Sequence, residues 1–133
     1  LISEQLEALS DGITKDAIRE IPSYGAAPLK VTSERVERWL KILSESIRRN
    51  EPQLLADYLS TVALQRQEEG YAIKDLHAIV FITERHLLTF IDRLTDDPVV
   101  RSGERALLNA VMDSARMVLG VAYILSKADT SSS

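Results

Sequence analysis

The chain has no cysteine. Disulfides, thiolate metal sites, iron–sulfur clusters and cysteine nucleophiles are therefore excluded together, and the composition agrees with a reducing, cytoplasmic setting. Five Gly and four Pro in 133 residues supply too little turn chemistry for the many short connections of a β-sandwich or barrel. Histidine is scarce as well, with His77 and His86 the only two. The longest apolar run near the end, Met117 to Leu125 with Gly120 inside it, is about half the roughly 20 residues of a membrane-spanning helix, so no membrane partner is expected. No basic excess exists: a formal charge of -4 predicts repulsion from phosphate backbones and anionic headgroups, which argues against nucleic acid. No signal or transit peptide is visible.

With 45% hydrophobic and 27% charged residues, the chain lies in the range of folded globular domains, and its length suits one domain with one core. It opens on Leu1 and closes on Thr130-Ser131-Ser132-Ser133, and so reads as a piece of a longer protein: a single helical domain over 1–129, then the start of a polar linker at 130–133. Breaks fall where Pro, Gly and Asx cluster. They leave five stretches of helical length: Ser3–Glu20, Thr32–Arg49, Glu51–Glu69, Ile73–Leu94 and Val99–Lys127. Pro22, Gly25 and Pro28 make Ile21–Val31 the longest expected loop. Asn50-Glu51-Pro52 is expected to cap the third helix, Gly70 to close it, and Asp96-Asp97-Pro98 to start the last. The expected fold is all-α, a bundle of about five helices for which a globin-like arrangement is one form.

Counting 100° per residue assigns the faces. Val36, Trp39, Leu40, Leu43 and Ile47 share one narrow sector of the second helix, with Glu37, Arg38, Lys41, Glu45 and Arg48 opposite. The fourth helix is apolar over more than half its circumference, through Ile73, Leu76, Val80, Leu87, Ile91 and Leu94 widened by Ile79, Phe81, Leu88 and Phe90, and is expected to be central. The last helix turns Leu107, Leu108, Val111, Met112, Ala115, Val118, Leu119, Ala122 and Leu125 inward. Past Met117 it is apolar on the other side too, through Val121 and Ile124. That second face needs a partner, so Met117, Val121, Ile124 and Leu125 are the expected homodimer interface.

No phosphate-cradling Gly loop, nucleophile elbow or helical metal-ligand pair is present, so no catalytic residue, no metal and no cofactor is expected. His77 and His86 lie nine residues apart on one helix, half a turn out of phase and about 13.5 Å apart along the axis, and cannot share a metal. Either could be the proximal ligand of a haem in a gas sensor, and His86 could accept a phosphoryl group in a phosphotransfer bundle, although the residues around it lack the usual pattern. The more economical reading of each is a satisfied or solvent-flanking side chain. Arg66 follows Leu55, Leu59 and Val62 at helical spacing, so its guanidinium projects from an apolar stripe. It either pairs with Glu69 or snorkels to water, or stands at a pocket edge to anchor an anionic ligand or a neighbouring subunit. Trp39 and Tyr58 are the aromatic candidates for the same pocket, set against a plain core role.

Ile21-Pro22-Ser23-Tyr24, the helix Val36–Ile47, Asn50-Glu51-Pro52, Leu55-Ala56-Asp57-Tyr58-Leu59, Arg66-Gln67-Glu68-Glu69-Gly70-Tyr71-Ala72-Ile73, Asp75-Leu76 and Arg85 form a pattern. It resembles the N-terminal helical sensor domain of RsbT co-antagonist proteins of the RsbR type, a domain also found at the front of bacterial sensor histidine kinases. The resemblance covers about Ile21 to Leu94. It implies a non-enzymatic input module of stress-response or two-component signalling, which dimerises and passes a signal to a C-terminal output domain, either a STAS domain or a histidine kinase core.

Overall fold

The computed structural model describes residues 2–132, with side chains over 5–125. It is an all-α bundle with no strand among the described residues: α1 (Ile2–Glu20), α2 (Pro22–Ala26), α3 (Leu29–Arg49), α4 (Pro52–Glu68), α5 (Ile73–Leu94) and α6 (Pro98–Ser132). The segment expected as a loop carries the extra helix. Pro22 occupies the first turn of α2, where its missing N–H costs nothing, and Pro28 stands just before α3, which starts three residues ahead of Thr32. Each proline therefore begins a helix instead of breaking one. Gly25 makes this turn possible, since a Cβ there would sit 2.8 Å from the backbone oxygen of Ile18 on α1.

Asn50 works differently from expectation. It adopts the left-handed conformation (φ 51) and closes α3 by donating its N–H to Ile47, while Glu51 is the residue before α4 and makes no side-chain cap. Gly70 ends the α4 turn at φ 92, a conformation that a β-carbon disfavours. Asp97 caps α6 as its sequence suggests, its Oδ1 accepting the Val99 N–H at 2.9 Å. Helix α6 continues to Ser132, past Lys127 and through most of the expected linker, because Ser and Thr are only weakly unfavourable in a helix. Ser133 lies outside the described residues.

Two apolar clusters share α3 and α5. One joins Trp39 and Leu43 to Leu55, Leu59 and Ala63 of α4, Leu76 and Val80 of α5, and Leu108, Met112, Ala115, Leu119 and Tyr123 of α6. The other joins Ile13, Ala17, Ile21 and Tyr24 to Val36, Leu40 and Ile82. Helix α5 feeds both, as its wide apolar face requires. The inward face of α6 is rotated from expectation: Tyr123 is buried, whereas Leu107 and Leu125 are exposed.

Helix α6 extends well beyond the apolar run Met117 to Leu125. Its segment Pro98–Leu125 is long and apolar enough to cross a membrane by length and composition. It is nevertheless tied to the bundle by its core face and by ion pairs of Arg116 with Glu84 (2.7 Å) and Arg105 with Asp92 (2.9 Å).

Candidate functional site

Successive turns of α3 carry Arg35, Val36, Trp39 and Ile42 toward α4, and α4 returns Tyr58, Leu59, Val62 and Arg66. Between them lies a cavity of about 40 Å³, with Tyr24, Leu76, Ile79, Val80 and Leu119 closing its inner side. Arg66, Trp39 and Tyr58, the three pocket candidates, all line it. The Trp39 and Tyr58 rings are near-parallel, 16° apart with centroids 6.5 Å apart. Buried Trp39 donates its indole N–H to Thr83 Oγ1 at 2.9 Å, and that hydroxyl donates onward to the Ile79 carbonyl at 2.7 Å. The indole plane is thereby fixed at the cavity wall.

A larger groove of about 800 Å³ between α3 and α4 shares Arg35, Tyr58, Val62 and Arg66 with the cavity and is lined also by Glu34, Arg38, Lys41 and Glu69. Four cations face two carboxylates there, on a chain whose net charge is negative. Arg66 is 8% exposed. Its pairing with Glu69 exists, at 3.4 Å, but Arg35 holds the same carboxylate more closely, at 3.1 Å. Arg38 makes no ion pair among the described residues. Burial pushes the Tyr58 hydroxyl above the ordinary tyrosine range, against an opposing pull from Arg66, Arg38 and Arg35. Tyr24 is raised for the same reason, burial, again opposed by Arg66.

The histidines stand apart from this cavity. Half-buried His86 places Nε2 at 2.7 Å from Asp16 Oδ2, and Arg85 spans Asp16 (3.0 Å) and Glu20 (2.8 Å), so this cluster ties α5 to α1. The hydrogen bond from His86, aided by Arg85 and Arg19, holds the Asp16 carboxyl below its usual range against the opposing effect of burial. His77 is half-buried on another face of α5. Among the described residues no three potential ligands converge on a metal site. Nε2 of His86, the atom a haem iron would take, is committed to Asp16 and faces an open groove lined by Gln5, Leu9, Arg85 and Phe90.

The expected interface residues are all exposed: Met117 70%, Val121 50%, Ile124 69% and Leu125 60%. Leu107, Ala110 and Ser114 are exposed on the same helix. Leu107, Ala110, Ser114, Met117, Val121 and Ile124 recur at alternating steps of three and four, the spacing of a coiled-coil seam. These residues are exposed, whereas Leu108, Met112, Ala115 and Leu119 of the same helix are in the core.

The chain matches no family model, no curated protein and no solved structure. The likeness to the RsbR-type sensor domain therefore rests on the residue pattern.

Proposed function

We propose that this chain is a non-enzymatic signal-input and dimerisation domain of a cytoplasmic bacterial signalling protein. Two copies pair along α6, and a STAS or histidine kinase core is the output domain that receives the signal. The observation that carries the reading is the exposed seam from Leu107 to Ile124. Its residues are apolar or small and exposed, Leu107, Ala110 and Ser114 also edge a groove beside the α3–α4 turn, and the helix bearing the seam runs unbroken from Pro98 to Ser132. A contiguous apolar surface of this kind is uncommon on monomers, and a two-fold axis would set each residue against its own copy. Ala110 and Ser114 let two helices approach closely at mid-seam. A small shift at such an interface is delivered along a rigid helix as a two-state change.

The resemblance of Ile21 to Leu94 supports the same class and keeps a globin-like kinship open, although the commitment of His86 to Asp16 gives a haem sensor little to build on. Light scattering tests the reading. The wild-type chain at tens of micromolar should have twice its sequence mass, and Val121→Glu/Ile124→Glu should halve that mass with the helical circular dichroism retained. A monomeric wild type, or a double variant that stays dimeric, would overturn it.

A further inference from the structure

We propose that the cavity between α3 and α4 binds a small monocarboxylate with a short apolar tail, the tail lying against Trp39, Tyr58 and Leu59 and the carboxylate meeting Arg66 and Arg38. Three features point to this ligand class. The cavity wall is apolar, built from Val36, Leu59, Val62, Leu76 and Leu119, and its 40 Å³ is room for about three to four heavy atoms at the 10–15 Å³ that one water requires. A short aliphatic tail fits that space, and a flat macrocycle does not. At the mouth, cationic capacity exceeds carboxylate capacity. Glu69 is shared between two guanidiniums, and its 3.4 Å separation from Arg66 is longer than the roughly 2.7–2.9 Å of a strong charge-assisted bond, leaving Arg66 a buried cation with a weakly engaged partner. Arg38, on the same groove wall, is unpaired among the described residues. An arriving carboxylate would supply the missing negative charge where partial burial strengthens it. A bare anion would leave the apolar cavity empty, and a neutral tail would leave the cations unmet.

The proposal does not depend on dimer formation, so either can fail alone. Trp39 is the chain's only tryptophan and lines the cavity, so its fluorescence reports occupancy directly. Sodium isovalerate is the probe, with isovaleramide as its uncharged match and inorganic phosphate as an anion without a tail. Isovalerate should give a saturable change in Trp39 emission, and both controls should bind at least about ten-fold more weakly, the factor one charge-assisted hydrogen bond contributes. Arg38→Gln, on an exposed side chain, and Arg66→Gln should each weaken isovalerate by a similar factor. If Arg66→Gln does not fold, Arg38→Gln decides alone. No saturable response in the wild type, equal binding of isovaleramide or phosphate, or undiminished binding in Arg38→Gln would each overturn the proposal.

Discussion

Replacing Thr83 with Val tests the polar link between α3 and α5. Thr83 is fully buried (0% exposed), and its hydroxyl is the acceptor for the Trp39 indole N–H at 2.9 Å. Valine keeps the shape and the β-branching, so packing changes little and no cavity opens. The indole N–H, in a residue itself 6% exposed, is left without its acceptor, while the Ile79 carbonyl retains the backbone partner of its helix. The cost is that of a buried unsatisfied donor, about 1–3 kcal/mol. For a domain of this size that lowers Tm by roughly 4 °C per kcal/mol. The assay is chemical denaturation at one fixed protein concentration, because association would add to apparent stability. Trp39→Phe removes the donor, so in that background the Thr83→Val cost should shrink, and the coupling in the four-variant cycle measures the bond. An unchanged midpoint for Thr83→Val, or full additivity with Trp39→Phe, would refute the assignment.

Three further outcomes follow from particular contacts. Arg66→Met should change stability by no more than about 1 kcal/mol in denaturant melts, because Glu69 is 39% exposed and keeps Arg35; a loss near 3 kcal/mol would mean that a buried acid had been left uncompensated. Gly25→Ala should cost about 1–3 kcal/mol in the same assay, since its Cβ would sit 2.8 Å from the Ile18 carbonyl oxygen. Asp16→Asn should be less stable than wild type at pH 7. Its hydrogen bond from His86 holds the folded carboxyl below the usual carboxylate range, so its contribution is present above the unfolded pKa and is lost as pH falls through the folded one; a stability gap that did not narrow below about pH 4 would contradict this.

Periodicity made the helices and most of the core legible. Val36, Trp39, Leu40 and Leu43 are buried together because a 3.6-residue repeat allows only one such face. The same counting missed α2, since Pro reads as a breaker unless its place in a first turn is known, and it gave Asn50 the wrong helix end because both ends favour that residue. It also misjudged α6. Apolar residues on both sides of that helix give no preference for which side turns inward, and the burial of Tyr123 depends on its hydrogen bond to the Tyr71 carbonyl across 52 positions. The convergence of Arg66, Trp39 and Tyr58 was partly legible, because each projects from an apolar stripe. Arg35 and Arg38 were not, since an arginine amid a polar helix face carries no local signal of the groove it lines. Nor was the Asp16–His86 contact, which joins residues 70 apart.

The central claim, that the outer seam of α6 meets a second copy of itself, is tested most directly by cysteine crosslinking, because the chain contains no cysteine of its own. Single substitutions at Met117, Val121, Ile124 and Leu125, with Leu29→Cys on α3 as an exposed control, are oxidised at micromolar concentration and resolved without reductant. A disulfide needs Cα atoms within about 7 Å, so only positions close to a two-fold axis join. Covalent dimer is predicted at one or more of the four α6 positions, and monomer is predicted at Leu29→Cys. Crosslinking at none of the four, or equally at Leu29→Cys, would contradict the account.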